Sequence, residues 1–307
     1  MYNFSIVIPC LNEERNIENF VQKIDLLFQN KYNFKLLFVD DGSTDKTWYK
    51  IEDLKKKHSF INGIKLSRNF GKENALMCGL SNIKSEDFII TIDADLQHPL
   101  DEIEKMIQLW KDGYKIINTF RTNVTENNIR EIGSKFFYFL IKNFTDLTNM
   151  AKTTDFILID REIVKKFNDI QEVNKQFRIL INWLGFKKIN IPININARIQ
   201  GKSKYNFIKL SKLAFNNLTS FSLFPLKLIG YLGILMSILS SLIIFAVVMD
   251  KIFFSNSLNV GINSIFATIQ ILLTGIILCS ITFLGIYISK ILKNTNNRPN
   301  YIIEKII

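Results

Sequence analysis

Over the first 120 residues, short β-branched runs alternate with stretches of helical spacing. Phe4 to Ile8, Leu36 to Val39, Gly63 to Leu66, Phe88 to Ile92 and Lys115 to Asn118 read as strands. Between them Glu14 to Phe28, Thr44 to Lys57, Lys72 to Ile83 and Pro99 to Trp110 read as helices, the last with proline in its first turn. This alternation predicts an α/β domain with a parallel sheet covered by helices on both faces. Beyond Arg121 the pattern loosens. Phe136 to Ile141 is an aromatic run too short to span a membrane, fit for a core or for the membrane interface, and Thr154 to Asp160 returns to strand character. Two later stretches carry no charge: Leu228 to Met249, 22 residues, and Ile265 to Ile288, 24 residues. At about 1.5 Å per helical residue each covers a hydrocarbon core of roughly 30 Å, so both are predicted to span a bilayer.

Charge placement supplies an orientation. Lys202, Lys204, Lys209, Lys212 and Lys227 precede the first span, and Lys290, Lys293 and Arg298 follow the second, while the loop from Asp250 to Asn263 holds one lysine and one aspartate. The positive-inside rule then places both ends in the cytoplasm. No basic region, apolar stretch and cleavage site opens the chain, so the first 200 residues are expected to stay there. The net charge of +11 is not gathered into an arginine-rich stripe with interleaved aromatics, which speaks against nucleic acid and for an anionic lipid surface. Cys10, Cys78 and Cys279 are too scattered for a disulfide framework or zinc site, and His58 and His98 too isolated for a ligand cluster.

In a parallel α/β sheet, ligands gather beyond the carboxyl ends of the strands. There the first strand runs into Pro9-Cys10-Leu11-Asn12-Glu13, the second into Asp40-Asp41-Gly42-Ser43-Thr44-Asp45 and the fourth into Asp93-Ala94-Asp95-Leu96-Gln97. Three acidic loops at one edge suit a cation and a ribose, with Ser43 or Thr44 expected to cap the following helix. Two carboxylates at Asp93 and Asp95, just past a buried strand, suit a hard divalent cation and the diphosphate it bridges. A diphosphate site attached to a membrane anchor suggests a sugar nucleotide meeting a lipid.

These motifs resemble a known family. Val7 to Glu14, Val39 to Asp45, Arg68-Asn69-Phe70-Gly71-Lys72, Asp93 to Pro99, Gly201 to Tyr205, Leu218 to Ser222 and Arg298-Pro299-Asn300-Tyr301 follow, in order, the pattern of the family 2 polyprenyl-phosphate glycosyltransferases, the group with dolichyl-phosphate mannose synthase and bacterial undecaprenyl-phosphate glucosyltransferases. The resemblance covers nearly the whole chain. It implies a GT-A type nucleotide-sugar-binding domain with a mostly parallel sheet, followed by two C-terminal transmembrane helices. The corresponding organisation is a cytoplasmic glycosyltransferase domain over 1–205, a juxtamembrane amphipathic segment over 206–227, spans at 228–249 and 264–288 joined by an external loop at 250–263, and a cytoplasmic tail over 289–307.

Carried over residue by residue, the resemblance places Pro9, Leu11, Glu13, Asp41 and Asp93 around the nucleotide-sugar donor, although relatives often have an aromatic where Leu11 stands. Asp93, Asp95 and Gln97 would surround Mg²⁺ or Mn²⁺ and the donor diphosphate. Arg121, Arg130 and Ser134, with Arg198 and Lys204, match positions that hold the lipid phosphate, for which guanidinium forks are well shaped. Asp155 matches the aspartate proposed as catalytic base, with Thr154 and Ile157 where relatives carry glycine and arginine. A polyprenyl phosphate is already an anionic nucleophile at neutral pH, so Asp155 can equally orient groups without taking a proton. The implied reaction is a metal-dependent inverting transfer from a UDP-glucose-like or GDP-mannose-like donor to polyprenyl phosphate, feeding cell-envelope glycans. Its rivals are a catalytically silent sensor or scaffold for nucleotide sugar or lipid phosphate, and a processive polysaccharide synthase, whose Gln-x-x-Arg-Trp motif is not reproduced by Gln176-Phe177-Arg178 and the distant Trp183. Gly230 and Gly233 in the first span could pack helices within one chain or in a homo-oligomer.

Overall fold

The computed structural model describes residues 2–29, 31–83, 85–122, 153–172, 175–194, 262–295 and 299–307, together with helical positions between 230 and 249. In chain order the elements are β1 (Asn3–Cys10), α1 (Ile17–Phe28), β2 (Asn33–Asp40), α2 (Thr47–Lys57), β3 (Ile61–Leu66), α3 (Lys72–Ser81), β4 (Phe88–Thr91), α4 (Glu102–Lys111), β5 (Ile116–Arg121), β6 (Thr153–Asp160), α5 (Arg161–Asp169), α6 (Phe177–Trp183), β7 (Lys188–Ile193), α7 (Ile262–Thr295) and β8 (Ile303–Ile306).

One sheet joins all the strands in the order β7-β5-β6-β4-β1-β2-β3-β8. β1 pairs in parallel with β2 and β4, β2 with β3, and β5 with β7. β6 runs antiparallel to β4 and β5, and β8 antiparallel to β3. The carboxyl ends of β1 to β5 and β7 therefore share one edge, to which β6 and β8 bring their amino ends. Side chains alternate across the sheet with a period of two. Phe4, Ile6 and Ile8 of β1 and Phe156 and Leu158 of β6 face α1, α2 and α4 in one core, while Val7, Ile157 and Ile159 face α3, α5 and α6 in the other. This parity sends Asp155 to the same face as Ile157, where α3 and α6 begin.

Two sequence expectations shift. Helix α4 starts at Glu102, so Pro99 belongs to the approach and not to the first turn. The C-terminal tail holds a strand: β8 pairs with β3 from Ile64↔Ile306 to Leu66↔Ile303, and Ser67 N–H donates to the Ile302 carbonyl at 3.0 Å. A four-residue strand that pairs only with a distant edge leaves too short a pattern to be read locally.

The described residues fall into two compact units, one holding the sheet and its covering helices, the other holding α7. Helix α7 runs 34 residues and contains the second expected span. Counting only described residues, no helix is long and apolar enough to cross a membrane. The expected juxtamembrane segment lies outside the described residues, as does the Phe136 to Ile141 run.

Candidate active site

The loops after β1 and β2 are stitched together by side chains bonded to backbone. Asn12, at φ 58°, donates its N–H to Ser43 Oγ at 2.9 Å and accepts from Thr44 N–H at 2.9 Å. Glu13 N–H reaches Thr47 Oγ1, and Glu14 N–H reaches Asp45. The helix-start role expected of Ser43 or Thr44 passes to Asp45, whose Oδ1 accepts from the Thr47 N–H and hydroxyl, because the two hydroxyls are drawn across to Asn12. The loop after β3 is held from beneath by Asp41, which accepts from Phe70 N–H at 2.7 Å and Gly71 N–H at 2.9 Å. Gly42 makes this approach possible: at φ 70°, a Cβ there would lie 2.4 Å from the Arg68 carbonyl carbon. The Arg68 guanidinium in turn covers the Phe70 ring at 4.2 Å.

A cavity of about 330 Å³ opens among these loops, lined by Pro9, Leu11, Glu13, Asp41, Lys72, Asp93 and Asp95 among others. The donor residues expected from the sequence thus share one wall system. Asp41 spends its carboxylate on backbone N–H groups, so it shapes the cavity as much as it faces it. Burial pushes the Glu13 and Asp41 carboxyls up, with Asp95 and Asp93 adding to the rise at Glu13 and the Phe70 and Gly71 N–H groups resisting it at Asp41. Burial also pushes the Cys10 thiol well up, reinforced by Asp40 and Glu13.

Asp93 and Asp95 follow β4 on a turn in which Leu96 takes φ 57°, a conformation uncommon for leucine. Gln97 turns back on Asp95, its side-chain nitrogen 2.6 Å from Oδ2. Lys72, the first residue of α3, places its ammonium 2.5 Å from both Asp93 Oδ1 and Asp155 Oδ2. The His98 imidazole stands 3.7 Å from the other Asp93 oxygen. Burial alone would raise the Asp93 carboxyl, but His98 and Lys72 outweigh it and hold the group far below the usual carboxylate range. For Lys72, burial works against the charge and the two aspartates reverse it, leaving the ammonium above the ordinary lysine value.

Among the described residues, no group of three or more His, Cys, Asp or Glu side chains forms a metal cluster. Two carboxylates, with the lysine ammonium already standing in as a cation on one of them, nevertheless fit a divalent ion that takes its remaining ligands from a substrate diphosphate. Asp155 lies at the start of β6. Besides Lys72 it meets Arg178 of α6, whose Nε is 3.0 Å from Oδ1, an ion-pair contact outside hydrogen-bond alignment. Ile157, where the sequence departs from its family pattern, is fully buried against the helices of that face.

Arg121 ends β5 at the same edge, exposed and in register with Ile193. Arg130, Ser134, Arg198 and Lys204 lie outside the described residues. Lys72, His98 and Arg178 are the site neighbours that sequence reasoning missed. Lys72 was within reach of it, since the carboxyl-end rule applied to β3 points straight at its loop; no local signal marks Arg178.

Residues 5–167 match the family described as Glycosyl transferase family 2. Across its length the chain is similar to the glycosyltransferase YkcC of Bacillus subtilis (strain 168), 37% identical over 98% of this chain and 93% of that protein. It is likewise similar to the SfII prophage-derived bactoprenol glucosyl transferase of Shigella flexneri, 32% identical over 98% of this chain and 97% of that one. Among solved structures, glucosyl-3-phosphoglycerate synthase from Mycobacterium tuberculosis in complex with Mn²⁺, UDP and phosphoglyceric acid shares the fold, with a TM-score of 0.50 and 18% identity over 71% of this chain and 76% of that chain. Sheet, loop order and relatives agree: this chain is a glycosyltransferase of the GT-A fold and belongs to glycosyl transferase family 2.

Proposed function

We propose that the protein transfers a sugar, glucose being the first candidate, from a nucleotide sugar to polyprenyl phosphate at the cytoplasmic face of a membrane. The observation that carries this reading is the cavity shared by Glu13, Asp41, Asp93 and Asp95. Full-length similarity to bactoprenol glucosyl transferases supports the choice of acceptor and sugar. Asp93 and Asp95 would hold Mg²⁺ or Mn²⁺, the ions present with UDP in structures that share the fold. A bound divalent ion would offset charge developing on the departing diphosphate. Glu13 and the loop held by Asp41 would seat the nucleoside. Arg121, with Arg130, Ser134, Arg198 and Lys204, would draw the lipid phosphate toward the opposite face of the sugar. Attack from that face inverts the anomeric centre, and positioning supplies most of the acceleration.

Membrane attachment through residues 228–249 and 264–288 is part of the proposal. Exposed apolar side chains along α7, including Phe266, Ile277, Leu278, Ile281 and Leu284, support it. Strand direction constrains only the number of spans: β7 ends and β8 begins at the same edge of one sheet, so if the residues between them span a bilayer they would do so an even number of times, as two spans would.

The test is a panel. Labelled UDP- and GDP-sugars are offered with polyprenyl phosphate, polyprenyl alcohol or a water-soluble phosphate acceptor, with and without Mg²⁺ or Mn²⁺. Metal-dependent label on the lipid phosphate alone supports the reading. Label on the soluble acceptor moves it elsewhere, and donor binding without transfer to any acceptor favours a nucleotide-sugar sensor.

A further inference from the structure

Asp155 is bracketed by two cations from separate elements. Lys72 opens α3 and meets Oδ2 at 2.5 Å; Arg178, in the first turn of α6, meets Oδ1 at 3.0 Å. Both cations are fixed from behind. Glu73, next to Lys72, accepts from the Phe177 N–H at 2.9 Å, so the residue beside one cation clamps the residue beside the other. Arg178 Nη1 also donates to the Thr153 carbonyl at 2.8 Å, which pins the guanidinium to the start of β6. Each cation still presents more than a third of its side-chain surface to solvent, 41% for Lys72 and 43% for Arg178, whereas Asp155 presents only 15%. The carboxylate is thus the covered member of the cluster and the cations are its open face.

We infer that Lys72 and Arg178, held by Asp155, form a subsite for a phosphate anion, and that Asp155 serves there as a fixed counter-charge without accepting a proton. The inference rests on the proposed transfer and assigns the anion to the acceptor. An isolated Asp155 would repel a phosphate that is largely dianionic near pH 7. Lys72 is shared with Asp93, so two cations meet two carboxylates in the structure; once a donor-side divalent ion drew Asp93 away, Lys72 and Arg178 against Asp155 alone would leave a net positive face. The transfer balances without a base: an ionised phosphate oxygen forms the bond to the anomeric carbon, the carbon–oxygen bond to the donor diphosphate breaks, and its electron pair leaves with the nucleoside diphosphate. No proton has to move, so Asp155 is a positioning residue.

The experiment is steady-state kinetics on the full-length protein with nucleotide sugar and a short-chain polyprenyl monophosphate, each varied at saturating levels of the other. Arg178→Ala is expected to raise the acceptor KM about tenfold or more, as fits loss of a charged contact, with the donor KM within about threefold of wild type. Arg178→Lys, which keeps the charge and is gentle on folding, is expected to fall between them. Asp155→Asn is expected to keep kcat within about tenfold of wild type while the acceptor KM rises. A collapse of kcat in Asp155→Asn with the acceptor KM unmoved would make it the base and overturn the inference. A rise confined to the donor KM in both Arg178 variants would hand the subsite to the donor diphosphate and overturn the assignment. Wild-type protein that labels no lipid phosphate is a different failure, removing the transfer reading and the inference with it.

Discussion

The two halves of the sheet build their sites in different ways. From β1 to β4 the strands pair in parallel, and the loop that follows each strand delivers its cavity-lining residue almost at once: Glu13 after β1, Asp41 after β2, Lys72 after β3, Asp93 and Asp95 after β4. From β5 to β7 the sheet is mixed, and its contribution is assembled at long range. Asp155 comes from the amino end of a reversed strand, its partners Lys72 and Arg178 come from two helices, and Glu73 ties those helices together. The parallel half contributes a set of short motifs, and the mixed half a set of tertiary contacts. A reader of the sequence meets the first as runs of adjacent letters and has no such run for the second.

Substitutions can sharpen or break this division. Gly42→Ala should be the most damaging to the parallel half, because its Cβ would lie 2.4 Å from the Arg68 carbonyl carbon in a left-handed backbone. Loss of about 3 kcal/mol of stability, read by denaturant unfolding, and weakened nucleotide binding are expected, and a neutral result would mean the loops after β2 and β3 are not locked together. Deleting residues 299–307 tests whether the long-range tail supports that local half. It strips β8 from β3 and removes the bond from Ser67, where the Lys72 loop begins. About 2 kcal/mol of destabilisation is expected, with activity falling in step because the exposed edge and loop loosen together.

Glu13→Gln should act more gently and with a definite pH sign. The folded pKa of Glu13 lies above its ordinary value of 4.5. Its contribution to stability is therefore complete below that value and is lost as pH rises through the folded pKa. The glutamine side chain does not titrate, so the melting temperature of the variant relative to wild type should climb between pH 4 and pH 7; a flat difference would contradict the buried, charge-crowded environment described here. Lys305→Ala should do least. Its contact with Glu52 is a surface ion pair, and thermal unfolding should register less than about 1 kcal/mol.

The strands and helices of the first half were legible because period-two and helical spacing run through contiguous segments such as Phe4 to Ile8 and Glu14 to Phe28. The acidic loops were legible because a parallel sheet puts strand ends at one edge. The direction of β6 was not, since Thr154 to Asp160 reads as a strand in either direction and only pairing with β4 and β5 fixes it. Arg178 was not, because a guanidinium at the start of a short helix looks like any exposed arginine until β6 parity brings Asp155 beneath it. β8 was not, because Ile303 to Ile306 gains its meaning from β3 alone.

The central claim is that this cavity moves a sugar onto a lipid phosphate, and the most direct test compares wild type with Asp95→Ala in vesicles containing undecaprenyl phosphate. Labelled nucleotide sugar is added with and without Mg²⁺, and the label is followed into organic extract. The account predicts metal-dependent lipid label for wild type, and for Asp95→Ala a loss of about a hundredfold or more with the protein still inserted in the vesicles. Equal lipid label from both proteins would place the chemistry elsewhere and contradict it.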